Sequence, residues 1–241
     1  MDPGKHHGGW VLAKTLKESG IEHVFGLAGG HVMAFFDGCL TEAVKVYDTR
    51  HEQAAVHMAE GWALSTGDVA VAAVTAGPGI TNAATGVVNA QQGGSPVVLI
   101  CGATAQELDH REAVQQLDVR DLYGRIAKWV RVERDPKRIA ASLREAVHVA
   151  RTGRPGVSVL QIPMDVLSAD AVEQEAWEAP SARSAPDPAD VERAVELLAS
   201  TERATVLVGS GDGRAAVQEV AEAVGVIVGQ EAARGGRRRH G

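Results

Sequence analysis

The residues of this 241-residue chain that could do chemistry are concentrated in three short stretches, Gly26-Leu-Ala-Gly-Gly30, Arg50-His-Glu-Gln53 and Thr75-Ala-Gly-Pro-Gly-Ile-Thr-Asn82. The first and third are rich in glycine, so the backbone can approach a ligand closely, and each opens a helix whose first N–H groups have no intrahelical partner. Glu52 offers a carboxyl at the front of a helix. Two uses compete for it: acid–base work in a site, or a plain first-turn interaction with the helix dipole, typically worth ~0.3–1 kcal/mol. Taken singly, each stretch is a weak signal, and for Glu52 alone the dipole role would be preferred.

His51-Glu52 also has the first two residues of a metalloprotease helix. That motif needs a second histidine four residues on, and the position holds Ala55. His57 lies about 240° around the helix from His51 at 3.6 residues per turn, so the two cannot share a metal. His57 is instead expected to pack inside the helices on the sheet, and no metal ligands are assigned. Cys39 and Cys101 stand beside no candidate base and read as small buried hydrophobes in a reducing compartment.

Short apolar runs alternate with helix-period segments from Gly8 to about Ala169, the pattern of repeated β-α units around a parallel sheet. The spacing predicts strands at Glu22–Leu27, Val44–Asp48, Val69–Thr75, Pro96–Cys101, Trp129–Glu133 and Val157–Ile162. Most are continuous Val, Ile, Leu and Ala runs, as expected when helices cover both faces. Helices are predicted at Trp10–Ser19, His31–Leu40, Glu52–Ser65, Ile80–Gln91 and Pro136–Arg151. Gly20 and Gly67 sit where a left-handed cap is wanted, Pro78 at a first turn, and Asp135 before Pro136 is a start signal. The three chemical stretches then fall at the carboxyl ends of strands, the edge where open α/β sheets place ligands.

In this order and at this spacing, Phe25-Gly-Leu-Ala-Gly-Gly30, Arg50-His-Glu-Gln53, Thr75–Asn82, Ala113-Val-Gln-Gln116 and Thr152-Gly-Arg-Pro-Gly-Val157 resemble the pyrimidine-binding domain of thiamine-diphosphate enzymes of the acetolactate synthase group. The resemblance covers Gly8 to about Val166. It implies an α/β fold, a parallel sheet with helices on both faces (the thiamine-diphosphate-binding fold), over residues 8–168. It also implies that Glu52 shares a proton with N1′ of the cofactor's aminopyrimidine, so that the 4′ nitrogen can take the thiazolium C2 proton. A carboxyl held out of water suits that task, and aspartate would be one methylene short. Ala28, Gly29, Gly77, Pro78, Asn82 and Gln115 match cofactor-contacting positions. Relatives often have proline where Ala28 stands, and phenylalanine and glutamate on either side of the glutamine where Val114 and Gln116 stand. Lys128 resembles a lysine near the substrate channel, or is an exposed lysine at a strand start. Arg154 reads as a turn residue capping the helix before it.

Residues 169–188 shift to Ala, Pro, Ser and acids, with Pro180, Pro186 and Pro188 breaking any helix, and read as a linker. Residues 189–234 begin a second, Rossmann-like α/β domain: a helix at Asp190–Ala199, a strand at Thr205–Val208, a glycine turn at Ser210–Gly213, a helix at Ala215–Ala223 and a strand at Val226–Val228. Two strands and two helices leave such a sheet incomplete, so a truncated central domain is expected, followed by a disordered tail at 235–241. In relatives that domain can carry FAD. Gly211-Asp-Gly213 mimics half of the family's magnesium motif, but no asparagine follows it, so magnesium is expected only with a separate diphosphate-binding domain.

The implied function is the N-terminal part of a carboligase or lyase acting on 2-oxo acids, inactive alone. Alternatives are a 2-hydroxyacyl-CoA lyase or oxalyl-CoA decarboxylase-like subunit of a split enzyme, and a regulatory or dimerisation module. A homodimer, or pairing with a chain that brings the diphosphate domain, is expected. With 31 acidic against 24 basic residues, no phosphate-tracking surface is expected and nucleic acid is not a predicted partner. No apolar run reaches the roughly 20 residues of a membrane span, and residues 1–10 lack a signal-peptide core, which together predict a cytoplasmic protein.

Overall fold

Residues with two buried faces make the sheet. Ala70–Val74 and Val157–Pro163 are buried at every position and Val97–Ala103 at all but the last, leaving no polar stripe to face water. The computed structural model describes residues 6–180 and 185–201, and the strand backbones of Thr205–Val208 and Ile227–Gln230. Two compact units divide between Ala179 and Pro180.

In the first unit the chain runs α1 (Gly8–Glu18), β1 (His23–Gly26), α2 (Met33–Thr41), β2 (Lys45–Asp48), α3 (Glu52–Thr66), β3 (Ala70–Val74), α4 (Pro78–Gly93), β4 (Val97–Ala103), α5 (Val119–Tyr123), β5 (Trp129–Val132), α6 (Ile139–Arg151), β6 (Val157–Pro163) and α7 (Met164–Ser168). The six strands are parallel in the order β2-β1-β3-β4-β6-β5. All six expected strands are present, within one or two residues at each end. One core, with Leu12, Leu16, Phe35 and Leu143, lies under α1, α2 and α6, and a second, with Val56, Ile80, Val87 and Tyr123, lies under α3, α4 and α5.

The order reverses at β1 and β3, which are neighbours although β2 intervenes in sequence. After β1 the chain turns to the first core through α2, and after β3 it turns to the second through α4, so their loops diverge and open a crevice at the carboxyl edge. Arrival at that edge is anchored. Thr49, just past β2, bonds the Gly26 carbonyl with both its N–H, at 2.9 Å, and its Oγ1, at 3.2 Å. His51 then caps α3 by accepting the Gln53 N–H at Nδ1.

Several expectations need correction. His31 sits within a 3-10 turn, Gly30–Val32, and the helix itself starts at Met33. The five-residue α5 and α7 carry too few turns to show a period, so the pattern missed them. His57 does not pack inside the helices: its side chain is 39% exposed and meets Glu60. Lys128 lines no channel and is not simply exposed. Its ammonium donates to the carbonyls of Val149, Thr152 and Arg154, closing the end of α6 at the amino edge of the sheet, because a helix C-terminus leaves carbonyls without partners. Burial pushes its pKa down. Arg154 serves the carbonyl of Gln92 in α4 instead of the helix before it.

Residues 169–179 are tied to the first unit, with the Gln174 amide on Ala140 N and the Pro136 carbonyl, and the Glu175 N–H on the Lys137 carbonyl. In the second unit Pro188 does not break a helix but begins one, α8 (Pro188–Ala199), under an Asp187 cap. Thr205–Val208, β7, pairs in parallel with Ile227–Gln230, β8. The glycine turn at 210–213, the helix at 215–223 and the tail at 235–241 lie outside the described residues. Among the described residues no helix is long and apolar enough to cross a membrane.

Candidate functional site

The crevice is built outward from Thr75, the residue that follows β3. A methyl group on Gly29 would lie 2.5 Å from Thr75 Cβ, and one on Gly79 would lie 2.9 Å from Thr75 Cγ2, so the glycines let the loops after β1 and β3 close on this side chain. That is the physical reason for glycine at both places.

Glu52 stands on the α3 side. It is 7% exposed although it opens a helix. Its Oε2 accepts a 3.0 Å bond from Asn82 Nδ2, and its Oε1 lies 3.6 Å from where a Gly79 methyl would sit. Oε1 has no hydrogen-bond partner among the described residues. Oε1 is not among the buried unpaired atoms, so it touches solvent at the crevice and is open to a ligand there. Helices α3 and α4 hold the pair together by crossing closely at Gly86, where a methyl would meet Val56 Cβ at 2.7 Å.

Gly77 caps α4 with φ of 58°, a backbone that favours glycine, and it lies directly under Gln115: a methyl there would meet Gln115 Cα at 2.7 Å. Gln115 itself has φ of 67°. Ala28 lies exposed beside Gly29, and Pro78, itself exposed, opens the first turn of α4. The structure therefore brings Glu52, Asn82, Gly29, Gly77 and Gln115 to one edge of the sheet, with Ala28 and Pro78 on the same loops.

Sequence reasoning missed three supports. His31 Nδ1 lies 3.2 Å from Thr75 Oγ1, and its backbone sits against Gly102 at the end of β4. Burial holds its pKa below the ordinary imidazole value. Gln161, 1% exposed on β6, donates to the carbonyls of Leu117 and Gly102 and accepts the Val119 N–H, pinning the far end of the loop that carries Gln115. Tyr123 Oη donates at 2.5 Å to the Ile80 carbonyl in the first turn of α4. Burial raises the pKa of that phenol. The only signal available beforehand for His31 was its place beside a glycine pair. Gln161 and Tyr123 act through distant partners that no local pattern names.

What the arrangement can do follows from its donors. It offers a sheltered carboxylate, an amide group beside it, glycine backbone on either hand and no acidic cluster. Among the described residues no group of three His, Cys, Asp or Glu side chains could hold a metal.

Comparison with known proteins agrees with this geometry. The description "Thiamine pyrophosphate enzyme, N-terminal TPP binding domain" matches residues 6–122, a span that holds every crevice residue named above except Tyr123 and Gln161. The 2-hydroxyacyl-CoA lyase 2 of Mus musculus is 42% identical over 161 residues, covering 67% of this chain and 26% of the relative. A probable acetolactate synthase large subunit of Methanocaldococcus jannaschii is 32% identical over 212 residues, covering 85% of this chain and 36% of the relative. A probable acetolactate synthase of Mycobacterium bovis is 33% identical over 207 residues, covering 85% and 38%. The chain thus spans from 26% to 38% of the length of these relatives. Residues 6–122 thus carry the N-terminal cofactor-binding domain of the thiamine pyrophosphate enzymes, and over a longer stretch the chain is similar to acetolactate synthases.

Proposed function

We propose that this chain supplies the pyrimidine side of a thiamine-diphosphate site, in an enzyme that makes or breaks a carbon–carbon bond next to a carbonyl. The observation that carries this is the unpaired Oε1 of Glu52, on a side chain that is largely buried yet opens to the crevice beside the backbone of Gly79. A neutral aminopyrimidine ring fits such a place: it presents a nitrogen that can share a proton, and it is flat enough to lie along backbone without Cβ atoms.

Bound there, the cofactor would supply a thiazolium carbon able to add to a carbonyl. The work of the chain is separate. Glu52 holds a proton at Oε1, Asn82 fixes the carboxylate through Oε2, and Gly29, Gly77 and Gly79 keep the crevice narrow enough to exclude water. Gln115 covers Gly77 through its backbone and Cβ, and its amide is assigned to the occupant of the cleft. Magnesium and the diphosphate are assigned to a second domain, so tight binding needs a partner chain or domain, as a dimer or a mixed assembly. FAD is left to the second unit.

Carboligation of 2-oxo acids is the first reading. Cleavage of 2-hydroxyacyl thioesters is the second, favoured by the 42% identity to a 2-hydroxyacyl-CoA lyase 2 against 32–33% to the acetolactate synthases. The test is calorimetry followed by turnover. The chain alone should bind thiamine diphosphate with magnesium only feebly, and a diphosphate-binding domain added separately should produce turnover of pyruvate or of a 2-hydroxyacyl-CoA. Micromolar affinity of the lone chain would overturn the two-domain reading, and turnover undiminished in Glu52→Gln would overturn the role of Glu52.

A further inference from the structure

We propose that His31 is a substrate-facing residue of this crevice, an imidazole whose Nδ1 is tied to Thr75 and whose Nε2 takes up the oxygen of the carbonyl compound brought to the cofactor. The proposal rests on the pyrimidine reading of Glu52 and adds the group on the opposite side.

The placement comes from the sheet. Thr75 stands at the end of β3, in contact with Gly29 and Gly79, and Glu52 Oε1 lies beyond Gly79 on the side of α3. His31 approaches Thr75 from the other direction, with its backbone against Gly102 at the end of β4. Across the row of strand ends, Glu52 and His31 therefore flank Thr75 from opposite sides. An aminopyrimidine is para-substituted in the same sense: a ring that turns N1′ to a carboxyl must turn its 4′-amino edge away from it. With N1′ at Glu52, the reacting edge points toward the side that holds His31.

The imidazole is arranged to serve there. It is half-buried, and Nε2 has no protein partner among the described residues. The bond from Nδ1 to Thr75 Oγ1, at 3.2 Å, fixes the ring's orientation, while the backbone and Cβ of His31 sit against Gly102, so Nε2 is the ring nitrogen left for a ligand. Burial keeps the ring neutral near neutral pH, so one nitrogen can donate while the other accepts. A neutral donor suits an oxygen that gains and loses a proton during reaction, because it does not lock that oxygen as a fixed anion.

The experiment follows the imidazole nitrogens of His31 by NMR in the full chain near neutral pH. Free hydroxymethyl aminopyrimidine, the ring half of thiamine, is added at millimolar concentration and then pyruvate as the carbonyl probe. The expected result is a saturable shift of the Gly79 N–H and Asn82 side-chain signals with the pyrimidine, then a shift of His31 Nε2 on adding pyruvate, with Nδ1 unmoved. In His31→Gln, which keeps a hydrogen-bonding end, pyruvate binding to the pyrimidine-loaded chain should persist weakened, whereas His31→Leu should lose it. Thr75→Val, which removes the Nδ1 partner with little change of shape, should scramble the His31 tautomer and weaken pyruvate binding, providing a second variant should His31→Leu fail to fold. Pyrimidine shifts at Gly79 with His31 silent to pyruvate would overturn the proposal and leave the pyrimidine site standing. Absence of any response at Gly79 and Asn82 would overturn both.

Discussion

At position 52 the two carboxylate oxygens have different fates, and the difference sets what substitution should do. Oε2 is engaged by Asn82, while Oε1 is left for a ligand. Glutamine keeps an oxygen for Asn82 and fills nearly the same volume, but it cannot exchange a proton at Oε1. Glu52→Gln should therefore lower turnover of the assembled enzyme by about a hundredfold or more, the lower end for loss of a positioned acid–base group, with thermal midpoint little changed. An equal loss of stability and activity would point to a structural role instead. Gly77→Ala fails for a different reason. It places a Cβ on a residue with φ of 58° and drives it to 2.7 Å from Gln115 Cα, which is backbone and cannot swing aside. A cost of about 1–3 kcal/mol in urea denaturation is expected, from strain and overpacking together. His31 should leave a mark on acid stability. Its folded pKa is lowered by burial from 6.5, so above that value it is neutral in both states and costs nothing. As the pH falls below 6.5 the unfolded chain takes up the proton first, and stability declines through the window down to the lower folded value. In His31→Gln that part of the slope should vanish; a denaturation profile unchanged between the two proteins would refute it.

Elements carry the site by how closely they approach. Helices α3 and α4 meet at Gly86, whose missing Cβ would lie 2.7 Å from Val56 Cβ, and the contact lies one helical turn from both Glu52 and Asn82. Gly86→Val should push the helices apart, cost about 1–3 kcal/mol by overpacking, and lengthen or break the bond between Asn82 and Glu52. The readout is the Asn82 side-chain amide signal, which should move in Gly86→Val and stay in place in a control on an exposed face of α4 such as Thr85→Ser. This crossing shows what the sequence could and could not carry. The glycine and proline at 77 and 78 were legible because backbone geometry and helix starts are local requirements, whereas the acid at 52 was legible only through the resemblance carried by the motifs around it. The parallel sheet was legible because a strand buried on two faces has a continuous apolar run. The Gly86 crossing, the Gln161 staple and the ammonium of Lys128 on three carbonyls were not, since each joins segments far apart in sequence and leaves no periodicity behind. His57 went astray in the opposite way. Helical phase places it near the covered face, but Gln53 and Glu60 on the same helix hold its ring nitrogens at the surface.

At the scale of the first unit the two faces of the sheet have separate cores, and each contains one free thiol. Cys39 belongs to the core under α1, α2 and α6, and Cys101 to the core under α3, α4 and α5; both are 0% exposed. Burial pushes the Cys39 thiol up to about 12 and raises Cys101 further still, so neither forms thiolate in the native state near neutral pH. Labelling must then await an opening that exposes the sulfur. The central strands β3 and β4 contribute to both cores through alternate side chains, Val71 and Ala73 to one and Ala70, Ala72 and Val74 to the other. A sheet shared in this way cannot lose one layer and keep the other in register, because the exposed face would be a continuous apolar surface. The two thiols should accordingly label at one common rate in the folded protein, slower than in denaturant by orders of magnitude, with equal dependence on added urea. Mass spectrometry of alkylated peptides reads both rates in one sample. Rapid labelling of Cys39 with Cys101 protected would show that α1 and α2 open on their own, and the crevice formed by the diverging loops after β1 and β3 would then be a mobile edge instead of a rigid one.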